Sequence, residues 1–254
     1  MKSLSLENKV AIITGSSRGI GKSIAEHLAA AGARVVISSR TANACDSVAA
    51  EINDSGGEAI AVPANISDKT QLENLAATTR KKWGHIDVLV CNAASNPYYG
   101  PMAGMSDEAF EKILRNNIVS NHWLANIVLP EMAQRKDGVV IIISSIGGLK
   151  GTSVLGAYAI SKAADMQLAR NLAIEWGPDN IRVNCIAPGL IKTDFARALW
   201  ENRDILGRYE TQTPLRRIGE PDDIGGIAVL LASRAGAFIT GQTIVADGGV
   251  TIAG

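Results

Sequence analysis

Short, β-branched apolar runs alternate along this chain with longer stretches in which apolar residues recur every three or four positions. The runs Val10–Thr14, Arg34–Ser38, Ala59–Pro63, Ile86–Cys91, Val139–Ser144, Arg182–Ile186 and Thr243–Ala246 predict strands. Between them, Gly21–Ala31, Lys69–Trp83, Asp107–Met132, Ala157–Trp176 and Pro221–Ser233 predict amphipathic helices. Continuous apolar strands separated by helices are the signature of a parallel sheet covered on both faces. No repeat, low-complexity tract or Pro/Gly-rich linker divides the chain, so residues 1–254 read as one doubly wound α/β domain. Periodicity is weak only from Pro188 to about Ile218. In such a sheet this 188–218 segment would hang as a loop over the carboxyl ends of the strands, where ligands bind.

Composition narrows the function classes. With 46% hydrophobic and 20% charged residues, the 254-residue chain carries a sizeable core and is unlike a disordered protein. Its 25 basic and 25 acidic residues balance, giving no electrostatic reason to bind nucleic acid or an anionic membrane. The longest apolar runs, such as Val139–Ile143, are far too short to span a bilayer. The N-terminal MKSLSLENKV lacks the apolar stretch of a signal peptide, and the C-terminal TIAG is not a peroxisomal tripeptide. Cys45, Cys91 and Cys185 are odd in number, widely spaced and without a CxxC pair, as expected of reduced thiols in a cytoplasmic protein. His27, His85 and His122 show no ligand spacing, so no metal site is expected.

The first strand runs through Thr14-Gly15-Ser16-Ser17-Arg18-Gly19-Ile20-Gly21-Lys22-Ser23 straight into a helix. Three chemistries compete for this segment. Gly15 to Gly19 matches the GxSxG elbow of hydrolases, but that reading needs an acid and then a later histidine, and the last histidine is His122. Gly21-Lys22-Ser23 looks like the end of a P-loop, yet five residues rather than four separate it from Gly15. A dinucleotide-binding turn is the third reading. Small residues there let the backbone approach a pyrophosphate at the helix N-terminus, although Gly-x3-Gly-x-Gly is not the standard GxGxxG spacing.

Motifs further along decide among the three. Asn92-Ala93-Ala94 follows the fourth strand, Ser145 stands thirteen residues before Tyr158, Tyr158 precedes Lys162 by four, and Pro188-Gly189 follows the sixth strand. Together with TGSSRGIG, this order resembles the short-chain dehydrogenase/reductase family, in its single-domain branch of about 250 residues. The resemblance runs from Lys9 to Gly249 and implies a single Rossmann-type domain that binds a dinucleotide and carries the catalytic groups. Two small departures are visible. Cys91-Asn92-Ala93-Ala94 replaces the commoner Asn-Asn-Ala-Gly, and Asn65 stands where many members carry an aspartate near the adenine.

The resemblance implies that Tyr158 is the general acid/base exchanging a proton with the substrate oxygen. A free tyrosine has a pKa near ~10, and lowering it by ~3 units takes about 4 kcal/mol of preference for the phenolate. Lys162, at i+4 on the same helix face, can supply about that much from ~4 Å at an effective dielectric of ~20. Ser145 would polarise and position the substrate oxygen, with Ser144 as its neighbouring competitor. No histidine is at hand to make that serine a nucleophile. Asn117 matches the family's helix asparagine, which helps carry a water-linked proton path to the lysine, and Asn116 is its competitor. The cofactor contacts implied are Gly15, Ser17, Arg18, Gly19, Ile20, Gly21, Arg40, Asn65, Ile66, Asn92, Ala93, Tyr158, Lys162, Pro188, Gly189, Ile191 and Thr193.

Charge bears on which cofactor. Strand two ends Val35-Val36-Ile37-Ser38-Ser39-Arg40, with no acidic residue to hold the ribose hydroxyls and an arginine directly after it. Arg40, helped by Arg18, favours the 2′-phosphate of NADP(H), while NAD(H) stays possible because relatives with a serine before this arginine use either.

Ser95–Met105, Ile146–Leu155 and Leu190–Tyr209 should form the substrate pocket. Tyr98, Tyr99, Met102, Phe195, Leu199 and Trp200 give it an apolar character, unless they pack a lid or a subunit interface. The expected substrate is a small neutral ketone or secondary alcohol, in the manner of carbonyl reductases. A 3-oxoacyl reductase and a non-catalytic cofactor-sensing protein are the alternatives. Helices with surplus apolar positions and the apolar Gly241–Ala246 segment lead us to expect a homo-oligomer, as a tetramer common in the family.

Overall fold

In the computed structural model, which describes residues 2–253, all seven strands join one parallel sheet. They are β1 (Val10–Thr14), β2 (Arg34–Ser38), β3 (Glu58–Ala61), β4 (Val88–Cys91), β5 (Gly138–Ile143), β6 (Ile181–Pro188) and β7 (Thr243–Ala246). Their order across the sheet is β3-β2-β1-β4-β5-β6-β7. The chain winds outward from β1 to β3, then returns to place β4 on the other side of β1. That reversal opens a crevice at the carboxyl ends of β1 and β4, where doubly wound sheets bind dinucleotides.

The helices are α1 (Gly19–Ala30), α2 (Ala42–Asp54), α3 (Lys69–Trp83), α4 (Asp107–Leu114), α5 (Ser120–Arg135), α6 (Gly156–Trp176), α7 (Arg197–Trp200), α8 (Arg203–Gln212) and α9 (Asp222–Ala232). One core lies between α1, α2 and α9 and one sheet face, and includes Ile13, Ile24, Leu28, Ile37, Ile141 and Ile224. The other lies beneath α3, α5 and α6 and includes Ile12, Leu72, Leu89, Leu124, Val140 and Val183. Adjacent strand residues thus point into different cores, so the central strands are buried on both sides. Their apolar runs are continuous for that reason. Each such fully buried aliphatic side chain contributes about 1.5–3 kcal/mol.

Several expected boundaries move. β3 is Glu58–Ala61 rather than 59–63, since Pro63 has no N–H for a ladder. β4 starts at Val88 rather than Ile86, because Asp87 turns its carboxylate onto the Val10 N–H at 2.8 Å. β6 extends to Pro188. The long helix expected over 107–132 is interrupted by a widened π turn at Arg115–Val119. The 188–218 segment, expected as loop, contains two helices, α7 and α8. Asn202 caps α8 by accepting from the Asp204 and Ile205 N–H groups, and the short apolar stripe of α8, Ile205, Leu206 and Tyr209, is only half-buried.

Candidate active site

The glycine turn is folded by hydrogen bonds that its own neighbours supply. Gly15 and Gly19 adopt φ of +65° and +56°, a left-handed region that only glycine enters freely. A Cβ on Gly21 would lie 2.4 Å from both the Gly15 carbonyl oxygen and Asn92 Nδ2. Asn92 donates from that nitrogen to the carbonyls of Thr14 (2.9 Å) and Gly15 (3.1 Å). Thr14 Oγ1 accepts from the N–H groups of Asn92 and Ala93, both at 3.1 Å. Asn92 and Ala93 therefore brace the turn from β4. Arg18, at the N-cap of α1, provides no side-chain acceptor, so the first N–H groups of α1 stay uncapped and suited to an anion. This shaped turn fits a pyrophosphate.

The other expected cofactor residues lie around the same carboxyl ends. Arg40 is exposed just past β2. Arg18 is paired with Asp194 at 3.2 Å, and Asp194 is also bonded to Arg197. Those arginines hold the Asp194 carboxyl below its ordinary range. The side chain of Asn65 accepts from the Ser67 N–H at 3.1 Å and so shapes its own turn, with Ile66 half-buried beside it. Gly189 packs against Asp247, whose Cα would sit 2.9 Å from an added Cβ. Thr193 lies 3.2 Å from where a Cβ on Gly19 would stand, which brings the segment after β6 over the glycine turn. Ile191 is buried and forms an isolated bridge with Gly219, and Ser17 is half-buried in the turn.

The four expected catalytic residues converge from three elements. Ser145 follows β5, and Tyr158 and Lys162 lie one turn apart on α6. A Cβ on Gly147 would lie 3.4 Å from Ser145 Oγ and 3.9 Å from Tyr158 Cε1, so both side chains flank that glycine. Lys162 Nζ is 5.7 Å from the Tyr158 ring centroid. Gly148 lets the segment press onto α6, since its Cβ would be 2.6 Å from the Lys162 carbonyl carbon. Ser144 is separated from Ser145 by its bonding: its Oγ donates to the Lys162 carbonyl at 2.7 Å and is buried. Ser145 Oγ accepts from the Gly147 N–H at 3.0 Å and still has its own O–H to give.

Asn116 and Asn117 both face inward because the π turn widens the helix at their position. Asn117 Oδ1 accepts from Ser95 N–H (2.8 Å), and its Nδ2 donates to Ser95 O (3.1 Å) and Ser161 Oγ (3.0 Å). It thus ties α6 to the segment after β4. Asn116 instead bonds Ser95 Oγ (2.9 Å) and Ser67 Oγ (2.6 Å), away from α6.

Sequence reading did not single out Asp165, Asn121 or Ser161, all of which touch this cluster. Lys162 Nζ donates to Asp165 Oδ2 at 2.9 Å and to the Ile143 carbonyl at 2.8 Å. Asp165 shares the face of α6 that carries Tyr158 and Lys162, but nothing in the sequence sets it apart from other helical acids. Burial opposes the ammonium, and the Asp165 carboxylate offsets it, holding Lys162 above its ordinary pKa.

The segments expected to form a pocket do meet. Gly100 N–H donates to Val154 O at 2.9 Å, Met102 packs on Gly156, and the Phe195 ring lies 6.0 Å from that of Tyr158. Tyr99, Met102 and Phe195 are exposed, Phe195 beside Tyr158. Trp200 is turned aside, its indole N–H donating to Thr193 O at 2.8 Å.

The chain is similar to known proteins over nearly its whole length. A family model described as Enoyl-(Acyl carrier protein) reductase matches residues 15–251. Dehydrogenase/reductase SDR family member 4 of Oryctolagus cuniculus is 41% identical, over 96% of this chain and 94% of that protein. A 7α-hydroxysteroid dehydrogenase solved with NADH and 7-oxo glycochenodeoxycholic acid is 38% identical with a TM-score of 0.94, over 98% of this chain and 96% of that one. A gluconate 5-dehydrogenase from Burkholderia cenocepacia, solved with NADP and tartrate, is 30% identical with a TM-score of 0.95, over 100% and 99% of the two chains.

Proposed function

Because the chain belongs to the short-chain dehydrogenase/reductase family and is an NAD(P)-dependent enzyme of that family, we propose that it interconverts a small neutral ketone and a secondary alcohol, with Tyr158 as general acid/base. The observation that carries this reading is the convergence of Ser145 and Tyr158 beside Gly147, with Lys162 one helical turn behind. When bound, the nicotinamide supplies or takes the hydride; the protein's part is to place the carbonyl and to move one proton. Ser145 donates its O–H to the substrate oxygen and holds it toward Tyr158. Tyr158 gives that oxygen a proton during reduction and removes it during oxidation. Lys162 favours the phenolate, and Asn117 keeps α6 and the 95–105 segment in fixed relation.

The exposed apolar rim of Tyr99, Met102 and Phe195 supports an uncharged substrate, since burying a charge there would cost several kcal/mol without a partner. The test is a panel of ketones, alcohols and 3-oxoacyl thioesters, with oxidation of reduced cofactor as the readout. Turnover confined to the thioesters would replace this reading with 3-oxoacyl reduction. Cofactor binding with no turnover of any member would replace it with a sensing role.

We read NADP(H) as the preferred cofactor. Arg18 is already engaged by Asp194, so the discrimination rests on Arg40, which is exposed and follows a strand with no acidic end. The expected kcat/KM preference is at least about tenfold, the lower end of what one charged hydrogen bond supplies. Arg40→Asp should reverse it, mainly through KM, because the 2′-phosphate is far from the hydride and contributes uniform binding. Raising salt should shrink it. A wild type that prefers NAD(H) would refute the Arg40 argument.

Assembly follows from what the fold leaves bare. Ile174 on α6, Phe238 and Ile252 are 80%, fully and 87% exposed, and Val245 of the edge strand β7 is 40% exposed. Bare apolar groups of this size next to an open sheet edge support a homo-oligomer, which we take to be a tetramer. Light scattering at micromolar concentration should give a mass well above that of one 26.7 kDa chain. Among the described residues no helix is long and apolar enough to cross a membrane, and the three thiols are free and buried. The thiols support a reducing, cytoplasmic setting.

A further inference from the structure

We propose that Asp165 is a positioning residue for the active-site lysine: with Asn121 it forms a buried side-chain bridge from Lys162 to the main-chain carbonyl of Asn117, and it keeps Lys162 charged. This rests on the dehydrogenase reading above. Asp165 is fully buried, Lys162 is 2% exposed and Asn121 is 4% exposed. Asp165 Oδ2 accepts from Lys162 Nζ at 2.9 Å, and Oδ1 accepts from Asn121 Nδ2 at 2.9 Å. The same Asn121 nitrogen donates its other hydrogen to the Asn117 carbonyl oxygen at 2.6 Å. Every atom of the bridge belongs to this chain.

Packing does not explain an acid here. Apart from Ser161 and Lys162, the other buried positions of α6 are apolar (Ala157, Met166, Ala169, Leu172 and Ala173), so a small apolar residue would fill the same register. Burying a carboxylate costs several kcal/mol unless a cation and hydrogen bonds meet it. The residue makes sense as half of a pair. Lys162 has three N–H groups; one goes to Asp165 and one to Ile143 O at 2.8 Å. The bridge therefore leaves one N–H for the Tyr158 side and stops the long side chain from exploring other rotamers.

The charges around the pair are few. Tyr158 faces it from α6, Cys91 from β4 and Cys185 from β6, whose thiol lies 3.4 Å from the Asp165 carbonyl. From the α5 side come only the neutral amides of Asn117 and Asn121. Burial pushes both thiols far above neutral pH, so they carry no charge. Among the described residues, Asp165 is thus the one formal negative charge in contact with Lys162.

The test is NMR of the full chain with labelled lysine, the Lys162 side-chain signal being assigned by its loss in Lys162→Met. In the wild type, Lys162 should keep its proton beyond the ordinary lysine value of ~10.4. In Asp165→Asn, which preserves shape but not charge, its titration should fall by at least about one pH unit, because burial then acts unopposed. With the alcohol or ketone that the panel identifies, the alkaline limb of the variant's kcat against pH should move down by at least about one pH unit, following the lysine. An unmoved Lys162 titration in Asp165→Asn overturns the proposal. If that variant does not fold, the wild type decides alone: Lys162 titrating below ~10.4 overturns it, and at or above supports it. Should Lys162 shift as expected while the wild type reduces no ketone, the bridge stands and the dehydrogenase reading falls. Turnover by the wild type, with Lys162 unmoved in the variant, sinks the bridge alone.

Discussion

Tyr158→Phe is expected to lower kcat by about 10³-fold, inside the 10²–10⁴ range that a positioned proton donor contributes. The substitution removes one oxygen and leaves the ring, which touches Phe195 at a centroid distance of 6.0 Å and packs beside Gly147. The turn that would cradle a pyrophosphate is built from Gly15, Gly19, Gly21 and Asn92, none of which the phenol contacts in the structure. Cofactor affinity should therefore change by less than about threefold, and the whole loss should appear in kcat. Steady-state kinetics with the ketone found in the panel, beside a fluorescence titration of reduced cofactor, separates the two. A variant that keeps wild-type turnover would remove Tyr158 from the mechanism, and with it the proposed reaction.

Lys162→Ala should damage turnover, cofactor binding and the fold together. The ammonium is 3% exposed and its carboxylate partner 0%, so removing it strands a buried charge. Breaking one side of a buried ion pair costs about 3–5 kcal/mol, which for a chain of this size is roughly 6–20 °C in Tm. The cost must depend on pH in a defined sense. Burial already raises the Asp165 pKa, and Lys162 is what pulls it back. Without the lysine, the folded-state value climbs well above the unfolded value of ~3.9. The penalty is then fully present above the raised folded value, shrinks as pH falls through it, and is gone below the unfolded value, where the carboxyl is protonated in both states. Thermal melts of wild type and variant at neutral and mildly acidic pH should show the Tm gap closing on acidification. A gap that widens there would mean that Asp165 is not the stranded group. Lys162→Met combined with Asp165→Leu should recover most of the stability and none of the activity, because an apolar pair fills the space without a charge to solvate.

How far the site was legible depends on whether its parts are local. TGSSRGIG, Tyr158-x3-Lys162 and Pro188-Gly189 are each made within one turn or one helix, so their spacing in the chain is their spacing in space. A parallel sheet covered on both faces follows from alternating apolar runs, since only such a sheet buries all of them, whereas the strand order and the crevice at the β1–β4 reversal came from the tertiary structure. The chain alone therefore determined the fold class and marked out the candidate dinucleotide-binding turn and Tyr158-x3-Lys162.

What the chain could not express is which of two neighbours does the work and with whom. Ser144 and Ser145 are equivalent as letters, and only the packing of β5 on α6 commits Ser144 to the Lys162 carbonyl. Asn116 and Asn117 differ because a π turn rotates both inward, and a π turn has no periodic signature of its own. The helices of the 188–218 segment stayed hidden because α7 is only four residues long and the apolar stripe of α8, Ile205, Leu206 and Tyr209, is short and only half-buried. Asp165 reads in the sequence as a helical acid like any other. Its character comes from partners 44 residues away at Asn121 and three residues away at Lys162, brought together inside a core. There the loss of water makes an unmatched charge so costly that each one must find its counterpart, and only the tertiary structure names it.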